Sequence, residues 1–283
     1  MRRINTSFSH LNLEKKNDKI KNSDWSKPTL LEDILKFSPK IVETYDDLVK
    51  DVAQIMYYNR NLTLFFRGQS KDYKDDERTT IKSSIYRKKP DEKRIMLKDR
   101  FNVLKSKSDE LKRLFKESEV KYAGRDLINK YPEIAWSLLQ HYEVCDTPLL
   151  DITHSLHVAC SFAFDRNEEG KTGIIYVLGM PWQNDPLGYN SYEELLNIKL
   201  LSVSPPQANR PYFQEGYLAG PFPNYQLDNS VRATQFDFAR RLIAKFEIPI
   251  SDDFWGVGFN RIPSEKLYQP NDPIKELCDK LKS

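Results

Sequence analysis

The chain has 283 residues, of which 44 are Lys or Arg and 41 are Asp or Glu, so its formal net charge is +3 at pH 7. A balance this even argues against a protein that coats nucleic acid, which needs a strong basic excess. No apolar run approaches the roughly 18 residues of a membrane span, and the polar start of the chain lacks the apolar segment of a secretory signal. Three cysteines are too few for a disulfide scaffold and favour a cytoplasmic protein.

The spacing of apolar residues predicts the elements along the chain. Thr44 and Asp47 have the spacing of an N-terminal helix cap, and Pro132 is typical of the first residue of a helix. In chain order, the predicted elements are helices at Leu30–Phe37 and after Thr44, a strand at Leu62–Arg67, a helix at Asp91–Glu119 interrupted near Ser106–Ser108, a helix at Pro132–Tyr142, an extended segment at Thr147–Leu150, a helix at Ser155–Phe164, strands at Thr172–Leu178 and Leu200–Val203, a helix at Ser230–Arg240 and a strand at Leu242–Ile250.

Strands scattered among helices, without an internal repeat or an evident linker, predict one α+β domain with a mixed, split β-sheet and flanking helices. We expect this domain to span residues 41–270. A polar N-terminal arm with a short helix precedes it over 1–40, and a C-terminal tail follows over 271–283.

Arg67 ends an apolar strand and is followed by Gly68. An arginine at the rim of a sheet can bind a phosphate or carboxylate through two parallel hydrogen bonds. Gly68 would let a ligand approach the backbone closely. The alternative is a structural salt bridge of Arg67, and this motif taken alone favours the alternative.

A second group of polar residues lies at a predicted strand-to-helix turn, where helix N-termini attract anions. Gln140 and His141 end the preceding helix and could face the same cleft. Capping and bracing of the turn explain the group equally well. The residues of the turn are Asp151, Thr153, His154 and Ser155.

Three further features have residue types that occur in reactive sites. Histidines and cysteines cluster in the middle of the chain, but their spacing matches no standard zinc pattern, so we expect no metal site. A thiolate pair of Cys145 with His141 is less favoured still. Gln214 and Glu215 lie in a proline-bounded irregular segment, where a carboxylate could orient a ribose hydroxyl or act as a base, and an ordinary surface loop is the alternative.

These motifs together resemble the FRG domain family over roughly residues 41–270. The sequence departs from the family pattern at Glu143, Pro148 and Ile152, where the family has Gly, Arg and Trp. The matching segments are Phe66-Arg67-Gly68-Gln69, Ile81–Arg87, Gln140-His141-Tyr142, Thr147–Thr153, Val158-Ala159, Phe162-Ala163, Arg210 with Gln214-Glu215-Gly216, and Ile248-Pro249.

A more distant resemblance connects the same motifs to ADP-ribosyltransferases of the arginine–serine–glutamate type. Arg67-Gly68 resembles the first motif of that family and Thr153-His154-Ser155 the second, and Glu215 is the nearest candidate for the third. The resemblance implies an ADP-ribosyltransferase-like fold, with NAD as the substrate that is consumed. It implies that Arg67 grips the pyrophosphate or a ribose and that Thr153 and Ser155 position the nicotinamide ribose.

The remaining implied roles concern catalysis and ligand contacts. Glu215 would hold the ribose 2′-hydroxyl and stabilise an oxocarbenium-like transition state. The expected ligand contacts are made by Arg67, Gly68, Gln140, His141, Asp151, His154 and Gln214.

The resulting function is an ADP-ribosyltransferase or NAD glycohydrolase, in the setting of a toxin or of conflict between bacteria and phages. Whether the chain is an enzyme stays open. The alternative is a non-catalytic module that binds a nucleotide or another phosphorylated small molecule through Arg67 and His141. A weaker alternative is a nucleic-acid-cleaving enzyme that uses His141, Asp151 and His154. The acceptor of any transfer is unknown, and net charge does not indicate a nucleic-acid partner.

Overall fold

The computed structural model describes residues 8–9, 29–90, 92, 96–118, 125–165, 171–222 and 236–282. Most of the predicted polar arm and most of the predicted helix at Ser230–Arg240 lie outside these residues. Within them the strands are β1 (Phe8–Ser9), β2 (Thr29–Leu30), β3 (Lys40–Ile41), β4 (Thr63–Gln69), β5 (Lys74–Asp75), β6 (Arg78–Thr79), β7 (Leu150–Thr153), β8 (Thr172–Met180), β9 (Leu187–Asn190), β10 (Leu195–Lys199), β11 (Gly216–Pro221) and β12 (Leu242–Pro249).

The α-helices of the described residues range from single turns to 21 residues. Short 3₁₀ turns occur at Ser84–Tyr86, Phe238–Arg241 and Asp252–Trp255. The helices are α1 (Leu31–Lys36), α2 (Tyr45–Tyr58), α3 (Leu97–Glu117), α4 (Leu127–Lys130), α5 (Pro132–His141), α6 (Leu156–Asp165), α7 (Leu200–Val203), α8 (Asn209–Phe213), α9 (Ser264–Tyr268) and α10 (Pro273–Asp279).

The chain divides into two compact units, each assembled from three separated segments. The first unit comprises residues 1–81, 153–182 and 238–264, and the second comprises residues 82–152, 183–237 and 265–283. Neither unit is a continuous stretch of chain, which is consistent with the single α+β domain predicted from the sequence. The predicted domain boundaries stay a prediction.

The first unit is built on a mixed sheet. Its strands lie in the order β3-β12-β8-β4, with β3 parallel to β12 and the other pairs antiparallel. Thr153 at the end of β7 pairs with Phe66 of β4. Helix α6 contacts β4 and β8 and covers one face of this sheet. The mixed sheet among helices confirms the predicted α+β class.

The second unit has an antiparallel sheet in which β10 lies between β9 and β11. Its hydrophobic core joins this sheet to helices α3 and α5. The long helix α3 contributes apolar residues at helical spacing, and α5 is buried along most of its length. Core residues of α3 and α5 include Phe101, Leu104, Leu111, Phe115, Ile134, Leu138 and Leu139.

Several predicted elements are confirmed and two details are wrong. Leu200–Val203 is a helix rather than a strand, because Leu200 and Val203 are buried while the two residues between them are exposed, which is helical spacing. The interruption predicted near Ser106–Ser108 is absent from the described helix α3, where the Ser108 hydroxyl donates to the Leu104 carbonyl within the helix. Thr44 caps α2 as predicted, since its hydroxyl oxygen accepts the Asp47 amide proton.

Candidate functional site

Arg67 belongs to a row of polar side chains on one face of the first unit's sheet. Arg67 of β4 is directly opposite Tyr176 of β8, and Tyr176 is directly opposite Lys245 of β12. Residues opposite one another on neighbouring strands present their side chains to the same face. The three side chains therefore lie on the same face, opposite the one that α6 covers.

Hydrogen bonds connect this row to the loop that follows β4. The Arg67 Nε donates to the Gln69 Oε1 at 2.9 Å. The Tyr176 hydroxyl donates to the Asp72 Oδ1 at 2.7 Å, and the Lys245 Nζ lies 3.0 Å from the Asp72 Oδ2. The Asp72 carboxylate therefore accepts from both the tyrosine and the lysine.

Lys245 has no exposed surface, and its ammonium group is held by two polar partners. Its Nζ donates to the Thr79 Oγ1 at 2.7 Å as well as to Asp72. Burial lowers the pKa of Lys245, and the Asp72 carboxylate acts against that change. Burial and the same carboxylate raise the pKa of the Tyr176 hydroxyl. Sequence reasoning missed this cluster, and the signal that indicates it is a lysine within the apolar run of β12.

Gly68 is required by the packing of helix α6 on β4. A Cβ atom added to Gly68 would lie 1.8 Å from the Ala159 carbonyl oxygen and 2.9 Å from the Ala163 nitrogen. The helix backbone therefore occupies the space that we expected a ligand to use. A ligand contact of Gly68 stays a prediction.

The Thr153–Ser155 turn uses its hydroxyl groups within the protein. The Thr153 Oγ1 accepts the Ser155 amide proton at 3.1 Å, and the Ser155 Oγ accepts the Val158 amide proton at 3.3 Å. Ser155 therefore caps α6, as its predicted N-cap position requires. His154 is exposed and stacks on Phe65, with ring centroids 4.0 Å apart, and its Nδ1 lies 3.1 Å from the Leu64 carbonyl oxygen.

Arg67 and this turn are neighbours on adjacent strands. Thr153 is opposite Phe66, so Arg67 is one residue away in the pairing. Side chains alternate along a strand, which puts Thr153 on the face of Phe66, whereas Arg67 and the His154-contacting Phe65 share the other face. The pairing therefore brings the backbones of the two motifs together but directs Arg67 and Thr153 to opposite faces.

The second unit joins Gln140, His141 and Asp151. The Gln140 Nε2 donates to the Asp151 Oδ2 at 2.8 Å, and the His141 Nδ1 lies 3.5 Å from the Asp151 Oδ1. Thr147 donates to the Gln140 Oε1, which orients the amide. A carboxylate this close to one nitrogen of an imidazole helps to orient the ring.

His141 is 5 % exposed, and its Nε2 has no hydrogen-bond partner among the residues that the structure describes. Gly216 lies beside the ring, since a Cβ atom there would be 3.5 Å from the His141 Cε1. The Arg210 Nη1 donates to the His141 carbonyl oxygen at 3.1 Å, which ties the end of α5 to the segment before β11. A buried nitrogen without a hydrogen bond costs free energy, so the His141 Nε2 is a polar atom that the described contacts do not explain.

Gln214 and Glu215 have different surroundings although they are adjacent. Gln214 is buried, and its Nε2 donates to the Leu267 carbonyl oxygen at 2.9 Å. Glu215 is exposed and has a φ of 44°, a left-handed conformation that favours glycine. A structural contact thus explains Gln214, and the catalytic role of Glu215 stays a prediction.

The thiol and metal hypotheses receive no support from the described residues. Burial and Asp146 raise the pKa of Cys145 to about 11, which disfavours a thiolate paired with His141. Within the described ranges, no group of three or more His, Cys, Asp or Glu side chains is placed to hold a metal ion. Among the described helices, none is long and apolar enough to cross a membrane.

Residues 63–172 match the family model of the FRG domain. This segment runs from β4 through the start of β8, and it includes Arg67, the Gln140–His141 pair, Asp151 and the turn at Thr153–Ser155. The chain therefore contains an FRG domain. No curated protein and no solved structure matches the chain.

Proposed function

We propose that this FRG domain protein consumes NAD, as an ADP-ribosyltransferase or as an NAD glycohydrolase. The observation that carries the proposal is the pairing of Phe66 with Thr153. It brings the backbone of the Arg67-Gly68 motif beside that of the Thr153–Ser155 turn, although 86 residues separate Arg67 from Thr153 in the chain and their side chains face opposite sides of the sheet. The resemblance to ADP-ribosyltransferases requires this neighbourhood of its first two motifs.

Arg67 is the residue on which the proposal depends most. A guanidinium has five N–H donors in a planar fork, and the Arg67 Nε–H is held by Gln69. A fork oriented in this way suits a pyrophosphate. Thr153 and Ser155 stand at the N-terminus of the ten-residue helix α6, where partial positive charge favours an anion.

The reaction breaks the bond between the ribose C1′ and the nicotinamide nitrogen, and the bonding electron pair leaves with nicotinamide. Water or an acceptor hydroxyl then attacks C1′ and releases a proton. In this proposal the Glu215 carboxylate stabilises the positive charge that develops on the ribose. The ligand contacts of Gln140, His141, Asp151, His154 and Gln214 belong to the same proposal, as do a cytoplasmic location and a role in conflict with phages.

The test incubates the purified chain with NAD and measures nicotinamide by chromatography. We expect release by the wild type and loss of release with Arg67→Ala. Arg78→Ala is the matched control, because Arg78 is an exposed arginine of the same unit that pairs with Glu32 at 3.3 Å. Unfolding curves of both variants show whether any loss is specific.

Two other results would favour the alternative functions. NAD binding without turnover, lost in Arg67→Ala, would indicate a non-catalytic nucleotide-binding module. Nicking of DNA or RNA that is lost in His141→Ala would indicate a nuclease. Growth arrest on expression that is relieved by Arg67→Ala would support a toxic activity of this site.

A further inference from the structure

The polar row on β4, β8 and β12 holds a chain of hydrogen bonds whose direction is fixed at every link. The Arg67 Nε–H is only a donor, so Gln69 must present its carbonyl oxygen to it. Gln69 lies two residues after Arg67 on β4, on the face that Tyr176 shares, so its amide NH₂ is left to donate to the Tyr176 oxygen. The Tyr73 backbone amide donates to the same oxygen. Tyr176 in turn donates its proton to Asp72 at 2.7 Å.

The series of hydrogen bonds ends at the Asp72 carboxylate, which only accepts, so the direction of each hydrogen bond before it cannot be reversed. Asp72 is buried to 9 % side-chain exposure, and Lys245 lies 3.0 Å from it. Thr79 also donates to the Asp72 Oδ1 at 2.8 Å. Reversal of the Gln69 amide would set a nitrogen against the Arg67 Nε–H and an oxygen against the Tyr176 oxygen, and so would break two hydrogen bonds.

We propose that Gln69 and Tyr176 are positioning residues for Arg67, and that the buried Asp72–Lys245 pair anchors them. The network sets the plane of the Arg67 guanidinium before a ligand arrives. This proposal rests on the proposed function for the identity of the ligand, a pyrophosphate of a dinucleotide. It does not rest on it for the orientation of Arg67, which can be measured without a ligand.

Preorganisation is the physical reason why such a network matters. A flexible arginine loses rotamer freedom when it binds a phosphate, and a guanidinium that is already held loses less. Hydrogen bonds in a chain that ends on a charge also polarise one another. Removal of the Tyr176 hydroxyl should therefore make the Arg67 side chain more mobile, although this hydroxyl does not contact Arg67.

The test compares Tyr176→Phe with Tyr142→Phe. The matched control is close, because the Tyr142 hydroxyl is also buried and donates to a buried carboxylate, Asp272, at 2.8 Å. Tyr142 belongs to the second unit and has no part in the Arg67 network. Gln69→Leu adds a variant at a partly exposed position, where folding is less at risk, and it removes the acceptor of the Arg67 Nε–H.

The first readout is hydrogen exchange of the Arg67 Nε–H in ¹⁵N NMR spectra, assigned by its loss in Arg67→Lys. We expect exchange to be faster by about tenfold in Tyr176→Phe and in Gln69→Leu, and unchanged in Tyr142→Phe. Exchange at the wild-type rate in Tyr176→Phe or in Gln69→Leu overturns the proposal. Equal acceleration in both tyrosine variants overturns it too, since that would be a general loss of stability.

The second readout is the dissociation constant for NAD, measured by calorimetry. We expect Tyr176→Phe to weaken binding by about tenfold and Tyr142→Phe to leave it unchanged. If the wild type does not bind NAD, the proposed function fails and the exchange rates alone decide the role of the network. If the wild type binds NAD and Tyr176→Phe binds it equally well, the positioning role is refuted and the proposed function stands.

Discussion

Substitution of Gly68 by alanine tests how helix α6 packs on β4. The new Cβ would lie 1.8 Å from the Ala159 carbonyl oxygen, whereas ordinary van der Waals contact begins at 3.4 Å. Strand and helix would therefore have to separate by about 1.6 Å at this point. The obstructing atoms belong to helix backbone, which cannot rotate away as a side chain does.

Overpacking of a well-packed core costs typically about 1–3 kcal/mol, and occasionally more. Because only backbone can move at Gly68, we expect Gly68→Ala to lower the free energy of unfolding by about 3 kcal/mol. Gly188→Ala is the control, since its Cβ would meet only the side-chain amide of Gln183. Displacing that amide breaks its two hydrogen bonds, to Asp185 and to Asn197, a loss of about 1–2 kcal/mol in all at this partly exposed position.

The assay is urea unfolding followed by tryptophan fluorescence and circular dichroism. A Gly68→Ala protein that unfolds at the same urea concentration as the wild type, or as Gly188→Ala, would refute the packing argument. In that case the glycine would have to be explained by the ligand approach that the sequence suggested.

Further predictions concern capping, backbone strain, a buried carboxylate and pH. Thr44→Ala should cost about 1 kcal/mol in urea unfolding, because it removes the cap of α2. Glu143→Gly should stabilise the chain by about 0.5–1 kcal/mol in the same assay, because Glu143 has a φ of 56°. Asp272→Ala should cost about 3 kcal/mol or more, because the fully buried Asp272 accepts from the Tyr142 hydroxyl and from backbone amides. Burial raises the pKa of Tyr45 from 10 to about 12, so the native state keeps its proton longer than the unfolded chain, and the free energy of unfolding should fall as the pH rises from about 10 to 12.

Local signals account for the elements that the sequence predicted well. These signals depend only on residues that are close in sequence. They are the Thr44 cap, Pro132 at the first position of α5, and the alternating run of β12. The left-handed Glu143 explains why the family has glycine at this position, after the end of α5. The prediction of a strand at Leu200–Val203 was wrong, because apolar content alone cannot distinguish a strand from one helical turn over four residues.

Tertiary pairing accounts for what the sequence could not reveal about the candidate site. Lys245 lies 173 residues from Asp72 in the chain, and a single lysine in an apolar strand does not indicate which carboxylate it pairs with. The alternation that separates Arg67 from Thr153 depends on the register of β4 with β7, which neither strand encodes by itself. By contrast, the contact of Gln140 with Asp151 spans only 11 residues, and the predicted helix end and strand were sufficient to suggest it.

Nicotinamide release from NAD is the measurement that tests the central claim most directly. The account predicts a steady, enzyme-dependent rate with the wild-type chain and a rate at background with Arg67→Ala, while Arg78→Ala keeps the wild-type rate. No release from the correctly folded wild type, or equal release by the wild type and Arg67→Ala, would contradict the account.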